Sequence, residues 1–168
     1  MKGLVIFDLD GTLIDTDCLS ELRTNRDWKG CRTKYIETKV YPGIKDLIAS
    51  FRAKDIKIAV FTKSPSTYAE SILKHHSLPY DMLVAYHDVK KKKPDGEGVL
   101  KILEAFRPGY CIGVGDDLND AESFNNGGIS GCCAAWNAGH IRGDTWKKYL
   151  KNPFEVLGCL KEFGKLSG

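Results

Sequence analysis

Leu4-Val5-Ile6-Phe7-Asp8-Leu9-Asp10-Gly11-Thr12-Leu13 is the stretch on which the reading of this chain turns. Its first four residues form a short apolar run, as a strand buried on both faces requires. The run stops at an acid, and a second acid follows two residues later. Such a switch, from apolar strand to carboxylates, marks the end of a strand as the place where chemistry is done.

Further along, the same alternation repeats. Ile56–Phe61, Met82–Ala85, Tyr110–Val114 and Ile129–Ala135 are the other apolar runs and are expected to be strands. Amphipathic stretches lie between them. Ile44–Ala53 puts Ile44, Leu47, Ile48 and Phe51 on one helical face, and Ser66–His75 does so with Ala69, Ile72 and Leu73. Helices are also expected over Asp95–Phe106, ending at Pro108-Gly109, over Ala121–Asn126, ending at Gly127-Gly128, and over Pro153–Phe163 with proline at the start. Strands alternating with helices predict an α/β fold: a three-layer, doubly wound parallel sheet. The whole chain, 1–168, is expected to be one domain.

Composition sets outer limits. Hydrophobic residues make up 42% and charged residues 28% of the 168, as in ordinary globular proteins, and the mild net charge of +3 argues neither for nor against a nucleic-acid partner. None of the six cysteines forms a Cys-x-x-Cys pair; Cys111, Cys132 and Cys133 sit in apolar runs and are expected in the core. The N-terminal sequence lacks a signal-peptide pattern, and no segment has the apolar length of a membrane span. A cytoplasmic location is expected. His75, His76, His87 and His140 have no metal-ligand spacing and are expected at the surface or in packing roles.

In a doubly wound sheet, ligands bind beyond the carboxyl ends of the strands. The segments found there are Asp8-Leu9-Asp10-Gly11-Thr12, Thr62-Lys63-Ser64, Lys90-Lys91-Lys92-Lys93-Pro94 and Gly115-Asp116-Asp117-Leu118-Asn119-Asp120. Clustered carboxylates repel one another and need a cation to remain ionised. Oxygen-only ligation suits Mg2+. One carboxylate can attack phosphorus, another can move the proton, and a hydroxyl and a lysine can hold the phosphoryl oxygens. Lys90, Lys91 and Lys92 are expected to be solvated. Asp15 and Asp17 are expected to face solvent or to cap.

Four motifs in this order resemble those of the haloacid dehalogenase superfamily: Phe7-Asp8-Leu9-Asp10-Gly11-Thr12-Leu13, Thr62, Lys93-Pro94, and Gly115-Asp116 to Asp120. Gly127-Gly128 and Trp136-Asn137-Ala138-Gly139 resemble the stretch that follows in its phosphoglycolate-phosphatase-like branch. The resemblance spans roughly residues 1–139. It implies a Rossmann-like core and a Mg2+-dependent phosphomonoesterase working through an aspartyl-phosphate on Asp8. It further implies Asp8, Asp10 and Asp116 at the metal, Asp10 through its backbone carbonyl. Asp10 would also be general acid and base, and Thr62, Lys63, Ser64 and Lys93 would bind phosphate. Asp120 would support the site from behind, and Asp117 would either ligate through water or cap the following helix. The superfamily's halide-removing members lack the second aspartate, so Asp10 favours phosphoryl chemistry. A phosphotransferase or mutase using the same residues, and a non-catalytic phosphate-binding module, are the alternatives.

One departure stands out. Residues 14–41 are far shorter than the superfamily's full helical caps. They carry Arg23, Arg26, Trp28, Lys29, Arg32, Lys34, Tyr35 and Lys39. Either this segment is a polar linker with a short helix, or it is a basic lid that draws an anionic substrate, with Trp28 and Tyr35 free to stack on a flat group. The substrate is expected to be a small phosphorylated molecule, or a larger one such as a nucleic-acid end admitted by an open site.

Overall fold

A computed structural model describes residues 2–166. The expected alternation is present. The main strands are β1 (Gly3–Phe7), β4 (Lys57–Phe61), β5 (Met82–Val84), β6 (Tyr110–Gly115), β7 (Ser130–Ala134) and β8 (Lys148–Leu150). All pair in parallel, in the order β5-β4-β1-β6-β7-β8. The chain starts in the middle of the sheet, builds outward one way through β4 and β5, then returns to β1 and builds the other way. The winding reverses between β1 and β6, and a crevice opens at that point.

The two faces of the sheet follow from the two-residue period of a strand. Val5 and Phe7 of β1 point to the face covered by α3 (Ile44–Ala53), α4 (Ser66–His75) and α7 (Glu155–Phe163). Leu4 and Ile6 point to the opposite face, covered by α5 (Glu97–Phe106) and α6 (Leu118–Asn126). Every residue of β1 is buried, because helices cover both sides. Cys111, Cys132 and Cys133 are buried as expected; Cys31 and Cys159 join them, and Cys18 is exposed.

Several boundaries differ from the sequence expectation. Helix α6 begins at Leu118 rather than Ala121, because Asp117 caps it: Asp117 Oδ1 accepts from the Asp120 N–H at 3.1 Å, and Asp120 Oδ2 reaches back to the Asp117 N–H at 3.2 Å. α5 begins at Glu97, whose N–H is taken by Asp95 Oδ1, and α7 begins at Glu155. β8 was not expected at all. It is a three-residue edge strand with a lysine, too short and too polar to register as an apolar run.

Residues 14–41 are not a polar linker. β2 (Ile14–Asp15) and β3 (Lys39–Val40) pair antiparallel and close the segment at its base. Between them stand two short helices, α1 (Ser20–Thr24) and α2 (Trp28–Lys34). Leu19 and Cys31 are fully buried in the same cluster as β1, and Trp28 packs on Tyr68 of α4 with ring centroids 5.6 Å apart. The short insertion is therefore docked. No helix among the described residues is long and apolar enough to cross a membrane.

Gly113 in β6 shows how closely sheet and helices approach. A Cβ there would lie 2.3 Å from the Phe124 ring of α6. Gly113→Ala is expected to cost about 1–3 kcal/mol through overpacking, read as a lower urea midpoint. An unchanged midpoint would mean that α6 is free to move outward.

Candidate active site

The register of the sheet lines up the strand ends. Phe7 pairs with Val60 on one side and Val114 on the other. The ladder continues one residue further, with the Asp8 N–H on the Val114 carbonyl at 2.9 Å and the Thr62 N–H on the Val84 carbonyl at 2.9 Å. Asp8, Thr62 and the segment from Asp116 therefore emerge side by side at the crevice.

Lys93 lies at the centre. Its side chain has no exposed surface, and its ammonium donates to Asp8 Oδ1 at 2.8 Å, Asp120 Oδ1 at 2.7 Å and the Phe61 carbonyl at 2.6 Å. Those three bonds use every proton of the ammonium. Burial opposes its charge, but Asp120 and Asp8 outweigh burial and raise its pKa above the ordinary lysine value. The other oxygen of Asp120 accepts from the backbone N–H groups of Asp116 and Asp117. Both carboxylate oxygens of Asp120 are thus occupied.

Asp116 is held by its own partners. The Thr12 hydroxyl donates to Oδ1 at 3.3 Å, and Asn137 Nδ2 donates to Oδ2 at 3.1 Å and to the Gly11 carbonyl at 2.9 Å. Gly11 is required here for two reasons. Its φ is +78°, and a Cβ would sit 2.4 Å from Asp116 Oδ2.

Carboxylate oxygens of Asp8, Asp116 and Asp120 all lie within 4.8 Å of one another. Three acids thus converge on one ammonium, which contacts only Asp8 and Asp120. Burial, then the charge of Asp120, pushes the Asp8 pKa well above the usual carboxylate range. Burial, then Asp120 and Asp117, raises Asp116 to about 7. This surplus of negative charge on oxygen donors fits a hard divalent cation.

The carboxylate of Asp10 turns elsewhere. Oδ1 accepts from the Tyr68 hydroxyl at 2.7 Å and lies 3.3 Å from Arg23 Nη1, and Oδ2 accepts from the Ser64 hydroxyl at 3.0 Å. Burial opposes the charge on Arg23, but Asp10 together with Tyr68 and Asp8 outweighs it and keeps the guanidinium firmly protonated. Burial, reinforced by Asp10, raises Tyr68 so that its hydroxyl remains a donor. Thr62 is buried, and its Oγ1 accepts from the Ser64 N–H at 3.1 Å, leaving its own proton free to donate.

Beside Asp10 opens a cleft of about 840 Å3, between α1 and α2 on one side and the segments after β4 and β5 on the other. Ser64 and Arg23, two of the partners of Asp10, line it, and so do Lys63 and Trp28. Tyr35 does not. Its ring packs edge-on against His75 at 5.1 Å, because the turn after α2 carries it toward α4. Lys92 also departs from expectation. It is half-buried, donating to the Tyr86 and Val89 carbonyls and lying over the Tyr86 ring, whereas Lys90 and Lys91 are solvated.

Sequence reasoning thus named every acid at this strand edge, but not Thr12, Arg23, Tyr68 or Asn137 as their holders. Asn137 carried a signal, since it lies in a stretch quoted for its resemblance. Tyr68 carried none, for an aromatic on a helix reads as core. Arg23 was one of several cations in residues 14–41, and spacing alone does not single it out.

The sequence model for haloacid dehalogenase-like hydrolases matches residues 24–128, well over half the chain. The matched span includes Thr62, Lys93 and residues 116–120 but begins after Asp8 and Asp10. The chain is 29% identical over 140 residues to a phosphoglycolate phosphatase of Nitrosospira multiformis, covering 81% of this chain and 61% of the relative. It is also 29% identical over 131 residues to a phosphorylated carbohydrates phosphatase of Thermotoga maritima, covering 74% and 61%. The chain therefore spans about three-fifths of the length of these relatives. A crystal structure of a hydrolase from Pseudomonas syringae superposes with a TM-score of 0.79 at 18% identity, covering 98% of this chain and all of that one, which shows a shared fold.

The shift on Asp116 sets a pH dependence. Its folded pKa of about 7 lies above the unfolded value of about 3.9, so the folded state favours the proton. The stability this contributes is present at low pH and is lost as pH rises through about 7. The metal-free protein is expected to melt at progressively lower temperature between pH 5 and pH 8, with the fall flattened in Asp116→Asn and offset by a divalent cation in the wild type. Equal slopes in wild type and variant would show that Asp116 is not under this strain.

Proposed function

The chain belongs to the haloacid dehalogenase-like hydrolases, and we propose that it is a Mg2+-dependent phosphomonoester hydrolase with Asp8 as nucleophile. The observation that carries the reading is the split between the two acids of the first motif. Asp8 is buried against Lys93 and converges with Asp116 and Asp120, whereas Asp10 is held apart by Ser64, Tyr68 and Arg23. Two carboxylates in different surroundings suit two different roles.

In this reading Asp8 and Asp116, with the backbone carbonyl of Asp10, hold the cation. Bound there, Mg2+ would supply positive charge that keeps Asp8 ionised and offsets the negative charge of the phosphoryl oxygens. The remaining chemistry belongs to the chain. Lys93 fixes the direction in which Asp8 points and adds a full positive charge beside the reacting group. The Thr62 hydroxyl donates to a phosphoryl oxygen. A carboxylate oxygen of Asp8 bonds to phosphorus as the ester P–O bond breaks, and Asp10 gives its proton to the departing oxygen. Asp10 then takes a proton from the water that attacks phosphorus. Breaking of the bond to Asp8 releases phosphate and restores both acids.

The protein is read as one catalytic unit, with residues 14–41 as a reduced cap. Exposed Arg26, Arg32 and Lys63 line the cleft, so water reaches the site. Hydrolysis is favoured over transfer for that reason, since a transferase must keep water from its phosphorylated intermediate. Names among the relatives, phosphoglycolate phosphatase and phosphorylated carbohydrates phosphatase, favour a small phosphorylated substrate.

The test is release of phosphate from p-nitrophenyl phosphate and a panel of phosphorylated metabolites. With Mg2+ the wild type is expected to turn over, chelation by EDTA to abolish turnover, and added Mg2+ to restore it. Asp8→Asn is expected to lose at least about 1,000-fold in kcat, as removal of a covalent nucleophile does. Full activity in EDTA, or in Asp8→Asn, would overturn the reading.

A further inference from the structure

We infer that the substrate carries a second phosphate group on its leaving portion, bound between Arg26 and Arg32 in the cleft beside Asp10. The inference rests on the proposed function and adds to it the class of substrate. Its first step is direction. The acid that protonates the departing oxygen must sit on the leaving-group side, and two of the residues that hold Asp10, Ser64 and Arg23, line the cleft. The leaving group therefore extends into that cleft.

The second step is charge. Of the cations lining the cleft, Arg23 is committed to Asp10. Arg26, Arg32 and Lys63 make no ion pair and no side-chain hydrogen bond with any described residue. No aspartate or glutamate lines the cleft. Several unpaired cations around one concavity leave the balancing charge to a ligand. Guanidinium groups match phosphate with paired N–H donors, and three cations exceed what one carboxylate would balance.

The third step is size. The cleft, at about 840 Å3, falls within the range of pockets for ligands as large as a nucleotide or a sugar bisphosphate. A two-carbon acid would leave most of it filled with water. Trp28, wedged on Tyr68, gives it a rigid apolar wall.

The test compares matched substrates in the wild type: a hexose bisphosphate against the hexose monophosphate, an adenosine bisphosphate against adenosine monophosphate, and phosphoglycolate for the carboxylate. At least one bisphosphate is expected to exceed its monophosphate about ten- to a hundred-fold in kcat/KM, an advantage that shrinks as salt is raised. Arg26→Ala and Arg32→Ala are expected to reduce the bisphosphate kcat/KM far more than that of the monophosphate, mainly through KM, with partial recovery in the lysine variants. Calorimetry of bisphosphate binding to Asp8→Asn protein, with and without the arginine changes, reads the same site without turnover. Bisphosphates no better than monophosphates, phosphoglycolate best of all, or equal losses on both classes in the arginine variants would overturn the inference and leave the hydrolase reading standing. No turnover of any ester would instead sink the hydrolase reading.

Discussion

The buried ammonium of Lys93 is the constraint on which the site depends. A lysine with no exposed surface persists only if its charge is matched and its three protons are all bonded. Asp8, Asp120 and the Phe61 carbonyl meet that demand. Those contacts tie the end of β1 to the end of β4 and the first turn of α6. Removing the ammonium would leave two acids buried against each other, so the four sequence motifs that meet here form one electrostatic unit.

Precision in the rest of the site comes from backbone. Asp120 is held by two N–H groups at the start of α6, and Asp117 closes the same turn as its cap. Gly11 lets the chain pass close to Asp116, while Asn137, from beyond β7, bridges the Gly11 carbonyl and Asp116. Among the described residues the cap joins this unit at a single charged point, Arg23 on Asp10. Docking of residues 14–41 therefore fixes the acid that would move the proton, and whatever binds in the cleft lies directly beside it.

Much of this was legible in the sequence because it depends on local pattern. Short apolar runs located five of the six main strands, and helical spacing gave α3 and α4 to the residue. The strand ends then gave four segments, and the resemblance singled out Asp8, Asp10, Thr62, Lys93, Asp116 and Asp120 within them. Illegible parts depend on who meets whom across the fold. Tyr68 looks like core until Asp10 is seen opposite it, and Arg23 is one cation among many until α1 is docked. Tyr35 and Trp28 are both aromatic and both near the basic residues, yet only the turn after α2 decides that one lines the cleft and the other packs on His75. β8 was invisible because a short lysine-bearing edge strand is stabilised by its neighbour and carries no period of its own.

Asp8 as the covalent attachment point is the centre of the account, and it can be observed directly. The enzyme would be mixed with a phosphate ester bearing a labelled phosphoryl group and Mg2+, quenched in acid at a series of times, and digested for peptide mass spectrometry. The account predicts label on the peptide containing Asp8, localised to that residue, rising within the first turnover. Phosphate released at the full rate with no label on Asp8 at any time, or with label on another residue, would contradict it.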